Sequence, residues 1–211
     1  MEPVIVIAAI ALLAKALSAV TSSFVIPISK LIDPEATKII ADDISQYEGD
    51  FALNAWKYVG GGIGYSYYGS HLHFFDSSVN CVKCVLPMNV AAKGSSNCVG
   101  KAALLTSILR DKYGPNDVYM VVGEYMSGKS DDGHAWVNLR RDGTWYVIES
   151  TAPPPANPWH TAYDLSDLYV PDAWVNDDGL ICYDPDVCSL DFAVSECPCK
   201  AHSANTHLTR P

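Results

Sequence analysis

Two strand-like stretches, separated by one Asp-Gly pair, constrain the fold more than any other feature of this sequence. Residues 133–139 and 144–149 are rich in aromatic and β-branched side chains, and Asp142-Gly143 lies between them. An Asp-Gly pair in this setting is a strong signal for a two-residue hairpin turn. Such a turn predicts three cross-strand pairs: Arg141 with Thr144, Leu139 with Tyr146, and Trp136 with Glu149.

The far ends of this hairpin carry chemically active side chains. His134 stands at the start of the first strand, and Glu149 ends the second. In this register they share a face as diagonal neighbours, about 7–8 Å apart at the backbone and within reach of long side chains. The sequence therefore predicts a carboxylate that orients an imidazole, whereas each residue taken alone also fits a histidine satisfied by other contacts or a solvated strand end.

A third active side chain lies at the start of a predicted helix. Residues 95–97 are good N-cap residues, and apolar side chains then recur at helical spacing. We predict a helix from Cys98 to Arg110. A thiol in its first turn lies near unpaired N–H groups and the positive end of the helix dipole, which favour a thiolate and can hold an oxyanion. Cys98, His134 and Glu149 together form a nucleophile, a base and an orienting acid.

These residues resemble the transglutaminase-like family of papain-like cysteine enzymes. The resemblance covers roughly residues 50–152 and lies in five stretches: Trp56-Lys-Tyr-Val-Gly-Gly-Gly, Leu86-Pro87-Met-Asn-Val, Cys98-Val-Gly-Lys-Ala-Ala-Leu-Leu, His134-Ala-Trp-Val, and Trp145-Tyr-Val-Ile-Glu149-Ser-Thr. There are two departures. The family usually has Asp-Pro-Thr where this chain has Glu149-Ser150-Thr151, and it often has Gly-x-Cys where Ser96 stands here.

The hairpin signals and the resemblance together imply an α+β, papain-like core in residues 30–200, with the nucleophile helix packed on an antiparallel sheet. The resemblance implies acyl transfer through a thioester, with Cys98, His134 and Glu149 as the triad. Trp56 and Asn97 are further candidates for contacts with the substrate or the oxyanion. Hydrolysis of peptide or protein amide bonds is the first expectation, and no cofactor is required. The alternatives are a non-catalytic binding or scaffold module and a crosslinking enzyme, in which an amine replaces water.

The net charge of the chain and its apolar N-terminal stretch indicate which partners it binds and where in the cell it lies. The net charge is −10 and no basic patch is present, so nucleic acid is not expected to bind. Residues 4–14 are wholly apolar, and residues 1–29 together read as a membrane anchor or a secretory signal, or else as a helix buried against the domain. We expect a membrane-anchored or secreted protein, with a cytoplasmic protein as the alternative. Residues 201–211 form a polar tail.

The cysteines other than Cys98 are even in number, and four of them fall into two close pairs. Cys81 and Cys84 precede the nucleophile helix, and Cys197 and Cys199 lie near the C-terminal end. We predict that the two pairs are close in space, joined either by disulfides or by a structural zinc ion.

Overall fold

The computed structural model describes residues 26–67, 70–75, 78–126, 131–152, 158–161 and 164–182. Its α-helices are α1 (Pro34–Ile44), α2 (Phe51–Trp56), α3 (Pro87–Lys93) and α4 (Cys98–Arg110), and Ile28–Leu31 and Lys57–Gly61 form a 3₁₀ and a π-helical segment. Its strands are β1 (Ile26–Pro27), β2 (Gly64–Tyr65), β3 (His71–Phe75), β4 (Ser78–Val82), β5 (Ser95–Ser96), β6 (Val118–Met126), β7 (Asp131–Arg141), β8 (Thr144–Ile148), β9 (His160–Thr161), β10 (Tyr169–Asn176) and β11 (Gly179–Cys182).

Two predictions concern the chain ends. Of the apolar segment predicted over residues 1–29, only residues 26–29 are described: Ile26–Pro27 form β1, and Ile28 is buried in the core. Residues 1–25 and 201–211 are not among the described residues. None of the helices within the described ranges is long and apolar enough to cross a membrane.

The main sheet has six strands in the order β11-β10-β6-β7-β8-β9, and every neighbouring pair is antiparallel. A smaller antiparallel sheet has the order β1-β4-β3, and β2 pairs with β5 in parallel. The helices pack with the main sheet around one largely aliphatic core, to which Phe51 and Trp56 also belong. The α+β class predicted from the sequence, with the nucleophile helix on an antiparallel sheet, is confirmed.

The β7–β8 hairpin has the predicted register. Arg141 pairs with Thr144 and Leu139 with Tyr146, and the ladder ends where Val137 lies opposite Ile148. Both turn residues have positive φ, 50° at Asp142 and 79° at Gly143, as a two-residue hairpin turn requires. The ladder stops one position short of Trp136 and Glu149, but it fixes the face on which the Glu149 side chain emerges.

The two faces of the main sheet differ in composition. Alternate residues of each strand point to opposite faces, and the two sets form separate clusters. One face packs on α4 and is aliphatic, with Met120, Val122, Val137, Leu139 and Ile148 among its members. The other face is aromatic and contains Tyr119, Trp136, Trp145, Tyr169 and Trp174. We call these the aliphatic face and the aromatic face.

The structure changes the expected cysteine pairing. Cys81 and Cys84 are joined to each other by a disulfide, with Cα atoms 5.6 Å apart. The turn between them, in which Lys83 has a φ of 54°, brings the two residues together. The sequence-based expectation that they bond to Cys197 and Cys199, or share a zinc ion with them, is therefore wrong for this pair. Cys197 and Cys199 lie outside the described residues, and the proximity of residues 197–199 to residues 81–84 stays a prediction.

Candidate active site

The nucleophile helix begins at the predicted residue, and its N-terminus is held by a buried cap. Asn97 accepts a hydrogen bond from the Gly100 N–H at 3.2 Å through Oδ1, and its Nδ2 donates to the Ser70 carbonyl at 2.7 Å. Immediately upstream, β5 pairs with β2, and Ser66 N–H donates to the Ser96 carbonyl at 2.9 Å. Cys98 is thus fixed in the first helical turn, where backbone N–H groups have no partner inside the helix. Cys98 is not part of a disulfide, and the residue is half-buried.

The base and the acid meet as the hairpin register predicted. His134 Nε2 lies 2.7 Å from Glu149 Oε2, and both side chains are largely shielded from solvent. His134 is also hydrogen-bonded to the Cys98 side chain. Because Nε2 is engaged with Glu149, Nδ1 is the imidazole nitrogen left to face the sulfur. The structure therefore joins all three residues singled out from the sequence into one chain of contacts.

This chain of contacts favours the imidazolium form of His134. Burial acts to lower the pKa of His134, but hydrogen bonds to Cys98 and Glu149, together with attraction to both groups, outweigh burial and raise it to about 10. The imidazole is therefore protonated at neutral pH while it contacts the sulfur. Three aromatic rings surround it, with ring centroids 5.5 Å from Tyr125, 6.3 Å from Trp136 and 6.3 Å from Tyr169.

Within the part of the chain that the structure describes, the Glu149 carboxylate accepts four hydrogen bonds. Thr151 donates twice to Oε1, from its N–H at 2.7 Å and from its hydroxyl at 2.6 Å. Oε2 receives the Tyr169 hydroxyl at 3.0 Å in addition to His134. Burial would raise the pKa of Glu149, but the bonds from His134 and Thr151 and the positive charge of His134 hold it below its ordinary value. The carboxylate is therefore ionised and oriented on both oxygens.

Tyr169 and Thr151 are the site residues that sequence reasoning missed. Thr151 follows Glu149 by two residues and belongs to the stretch that resembles the family, so its position in the motif was a usable signal. Tyr169 is at the start of β10, twenty residues from Glu149, and its backbone pairs with Tyr125 rather than with the hairpin. Nothing in the local sequence distinguishes it from the neighbouring aromatic residues.

The two weaker candidates from the sequence have other roles. Trp56 is buried, and its indole Nε1 donates at 3.0 Å to the backbone carbonyl of Glu149, so this N–H is not directed at an oxyanion. Asn97 uses both ends of its amide for the helix cap and for Ser70. Each side chain thus holds a backbone segment of the site through its polar atoms. That they contact the substrate or the oxyanion stays a prediction.

The serine that replaces the family's glycine before the nucleophile is accommodated by a glycine inside the helix. Ser96 is fully buried and lies against Gly100, one turn into α4. A Cβ at position 100 would lie 3.0 Å from the Ser96 Cβ and would also collide with its hydroxyl oxygen. Gly100 therefore supplies the space that a glycine at position 96 would otherwise provide.

A buried lysine ties α4 to the segment after α2. Lys101 is 1% exposed, and its ammonium donates to the Ile63 carbonyl at 2.6 Å and to the Gly60 carbonyl at 3.4 Å. Burial lowers its pKa, and attraction to Glu149 partly opposes that effect. This charge holds residues 60–63 against the helix that carries Cys98.

No metal site accompanies these residues in the part of the chain that the structure describes. There, no three His, Cys, Asp or Glu side chains cluster in a way that could hold a metal ion. His71 and His73 lie on β3, which belongs to the smaller three-stranded sheet, whereas His134 lies on the main sheet.

Cys98 lies at the start of a helix, His134 lies on a strand of the antiparallel sheet, and Glu149 directly follows the neighbouring strand, as the helix and hairpin signals of the sequence predicted. No protein-family model matches the sequence. No curated protein matches it either.

Several solved structures are similar to this chain in general fold. LapG of Legionella pneumophila is 12% identical, with a TM-score of 0.49 and coverage of 85% of this chain and 90% of LapG; LapG has also been solved in a calcium-bound form. A candidate cysteine protease of Cytophaga hutchinsonii is 14% identical, with a TM-score of 0.47, and the match covers 64% of this chain and 43% of that one. A TGase is 17% identical, with a TM-score of 0.35 and coverage of 63% and 34%.

Proposed function

We propose that this protein is a cysteine-dependent acyl-transfer enzyme that hydrolyses amide bonds in peptides or proteins. One observation carries the proposal. A thiol at a helix N-terminus is hydrogen-bonded to an imidazole, and that imidazole lies 2.7 Å from a half-buried carboxylate that is hydrogen-bonded on both oxygens. This is the combination that activates a thiol and returns its proton to a leaving group.

In the first half of the reaction, the Cys98 sulfur attacks the carbonyl carbon of the amide. The carbonyl oxygen becomes an oxyanion, and the Cys98 N–H in the first turn of α4 is placed to donate to it. The C–N bond then breaks, and the amine leaves with the proton that the His134 imidazolium provides. The product is a thioester on Cys98.

In the second half, water attacks the thioester carbon. His134, now neutral, takes a proton from the water, and the C–S bond breaks to release a carboxylic acid and the sulfur. Glu149 stays ionised throughout and keeps the imidazole in the orientation that points Nδ1 at the sulfur. If a primary amine attacks in place of water, the same steps give a new amide bond.

A peptide or protein substrate suits the surface beside the nucleophile. Strand β2 lies next to the residues that immediately precede Cys98, and it carries exposed aromatic side chains at its end. Tyr65 is 51% exposed and Tyr67 is 85% exposed, with ring centroids 5.4 Å apart. Exposed tyrosines can bury large areas against a bound chain, and aromatic residues are enriched at protein interfaces. This surface therefore favours a peptide or protein substrate.

The test compares the wild-type protein with Cys98→Ala on a mixture of peptides of known sequence. We expect new peptide termini by mass spectrometry with the wild type and none with Cys98→Ala. Adding a primary amine shows which acceptor is used, because amine incorporation adds the mass of the amine and hydrolysis does not. If the wild type produces neither product, and Cys98 is alkylated no faster than a cysteine in the unfolded chain, the enzymatic proposal is wrong and a scaffold role replaces it.

We further propose that the domain works outside the cytoplasm. The Cys81–Cys84 disulfide supports this location because such bonds persist in oxidising compartments, and the apolar segment at residues 4–14 is consistent with export or membrane attachment. Alkylation of the protein from its native source without reductant should leave Cys81 and Cys84 unmodified. Full alkylation of both would contradict the proposal.

A further inference from the structure

The Glu149 carboxylate has a donor that belongs to no recognised motif of this chain. Tyr169 donates its hydroxyl at 3.0 Å to Oε2, which is the same oxygen that faces His134 at 2.7 Å. Among the described residues, the other oxygen is held by Thr151 alone. Tyr169 thus acts at the point where the acid meets the base.

Tyr169 is rigidly placed for this role. Its side chain is 9% exposed, and its ring packs against Trp136 and Tyr125 with centroid distances of 5.1 and 5.0 Å. Its backbone N–H donates to the Leu165 carbonyl at 2.9 Å. The hydroxyl therefore approaches Glu149 from a fixed direction instead of following the movements of the carboxylate.

We propose that Tyr169 is a positioning residue of the reaction, one that acts only through Glu149 and does not touch the thiol or the substrate. A glutamate is one methylene longer than the aspartate of related triads and has one more rotatable bond. A donor on Oε2, opposite the double clamp on Oε1, restrains that extra freedom. It also favours the ionised carboxylate over the neutral acid, since only the ionised form accepts on both oxygens from all four donors.

Other charged and titratable groups face the same carboxylate. They are His134 from β7 and Lys101 from α4, whereas Cys98 acts on His134 and Tyr125 from β6 lies beside the Tyr169 ring. Tyr169 differs from them because it donates without bearing a charge. Burial, together with the neighbouring Glu149 charge, raises its pKa, so the hydroxyl keeps its proton over the working range of the enzyme.

The central experiment is the substitution Tyr169→Phe, which removes one hydroxyl and leaves the ring. The matched control is Tyr119→Phe, which removes a hydroxyl from the same aromatic cluster at a side chain that contacts Trp145 and Trp174. The readout is the rate of Cys98 alkylation by iodoacetamide as a function of pH, followed by intact mass. The proposal that Tyr169 positions a catalytic group rests on the proposed amide hydrolysis. The alkylation assay requires no substrate, so it tests the action of Tyr169 on Glu149 even if that hydrolysis is not found.

At low pH the alkylation rate falls, and we call this part of the profile the acid limb. We expect its midpoint to lie about one pH unit higher in Tyr169→Phe, because the carboxylate loses a donor that favours its ionised form. With a cleaved peptide in hand, kcat should fall about tenfold with KM unchanged. Tyr119→Phe should match the wild type in both measurements. An unchanged acid limb in Tyr169→Phe, or an equal shift in Tyr119→Phe, would overturn the proposal.

Two further variants separate positioning from packing. Adding Tyr169→Phe to Glu149→Ala should change the alkylation rate less than twofold, since the hydroxyl then has no carboxylate to act through. An effect as large as in the wild type would show that Tyr169 acts by another route. If Tyr169→Phe does not fold, site-specific 3-fluorotyrosine at position 169 keeps the ring and strengthens the donor. It should move the acid limb downward, and an unmoved or raised limb would contradict the proposal.

Discussion

One face of the six-stranded sheet is aliphatic and packs on the nucleophile helix, whereas the opposite face is aromatic and carries the base. Cys98 packs against the aliphatic cluster, and His134 contacts members of the aromatic cluster. The hydrogen bond between these two residues therefore joins the two sides at the end of the sheet. The aliphatic side chains can only fill space. The aromatic ones also present polar groups, as the Tyr169 hydroxyl does to Glu149 and the Trp136 indole N–H does to Asn138 at 3.1 Å.

This contrast predicts that the two faces fail in different ways when altered. Changes on the aliphatic face should reduce the free energy of unfolding and leave each folded molecule active. Changes to the polar groups that contact Glu149 or His134 on the aromatic face should reduce turnover and leave the fold intact.

The largest effect is expected for Glu149→Gln. The amide cannot hold the imidazolium, and it offers His134 a hydrogen-bonding partner that favours the wrong tautomer, so turnover should fall by about 10²–10⁴-fold. Glu149→Asp keeps the charge and should be much milder. The measurement is kcat/KM on a cleaved peptide, together with circular dichroism to verify the fold. A Glu149→Gln protein as active as the wild type would remove Glu149 from the triad.

Leu139→Ala tests the aliphatic face. Leu139 is fully buried, and its removal leaves a cavity under the nucleophile helix, so the free energy of unfolding should fall by about 2–5 kcal/mol. Urea denaturation measures this loss. The alkylation rate of Cys98, corrected for the folded fraction, should stay within about twofold of the wild type. A large loss of alkylation rate in fully folded protein would mean that the two faces are not separable.

The pH dependence of activity tests the charge state at the junction of the two faces. Because the pKa of His134 is raised to about 10, the imidazolium that protonates the leaving amine persists through neutral pH. Activity should therefore be retained as pH rises past 7 and be lost only as pH approaches about 10. The profile of kcat/KM against pH measures this, and an alkaline limb near the ordinary histidine value of 6.5 would contradict the hydrogen-bonded geometry.

The smallest expected effect is a pH-dependent difference in stability. The pKa of Glu149 is lowered from 4.5 in the folded protein, so the unfolded chain binds more protons as pH falls through that range. The stabilisation from this carboxylate is therefore present above pH 4.5 and is lost as pH falls through the folded pKa. The difference in unfolding free energy between the wild type and Glu149→Gln should shrink on acidification, whereas the difference between the wild type and Leu139→Ala should not.

Local patterns predicted much of this site. The Asp-Gly turn fixed the register that brings His134 to Glu149, and the polar residues before Cys98 predicted the start of the helix; both signals depend on short stretches of chain. Tyr169, Lys101 and the hydrogen bond from Trp56 were not predicted because each depends on packing between distant segments. The Cys81–Cys84 bond was missed for the opposite reason. The prediction paired these cysteines with distant residues, whereas the tight turn at Lys83 places a nearer partner within reach.

The short hairpin also has a consequence for how the site assembles. His134 and Glu149 are 15 residues apart in the chain, whereas the contact between Trp56 and Glu149 closes a loop of 93 residues. In a simple loop-closure estimate, the longer loop carries about 1.6 kcal/mol more entropic cost than the shorter one. His134 and Glu149 can therefore meet as soon as the local hairpin forms, at a small entropic cost. The Cys98 thiol joins them only when its helix docks on the sheet. Reactivity is in this way linked to completion of the fold, because a chain that has formed only its hairpin has an acid and a base but no nucleophile beside them.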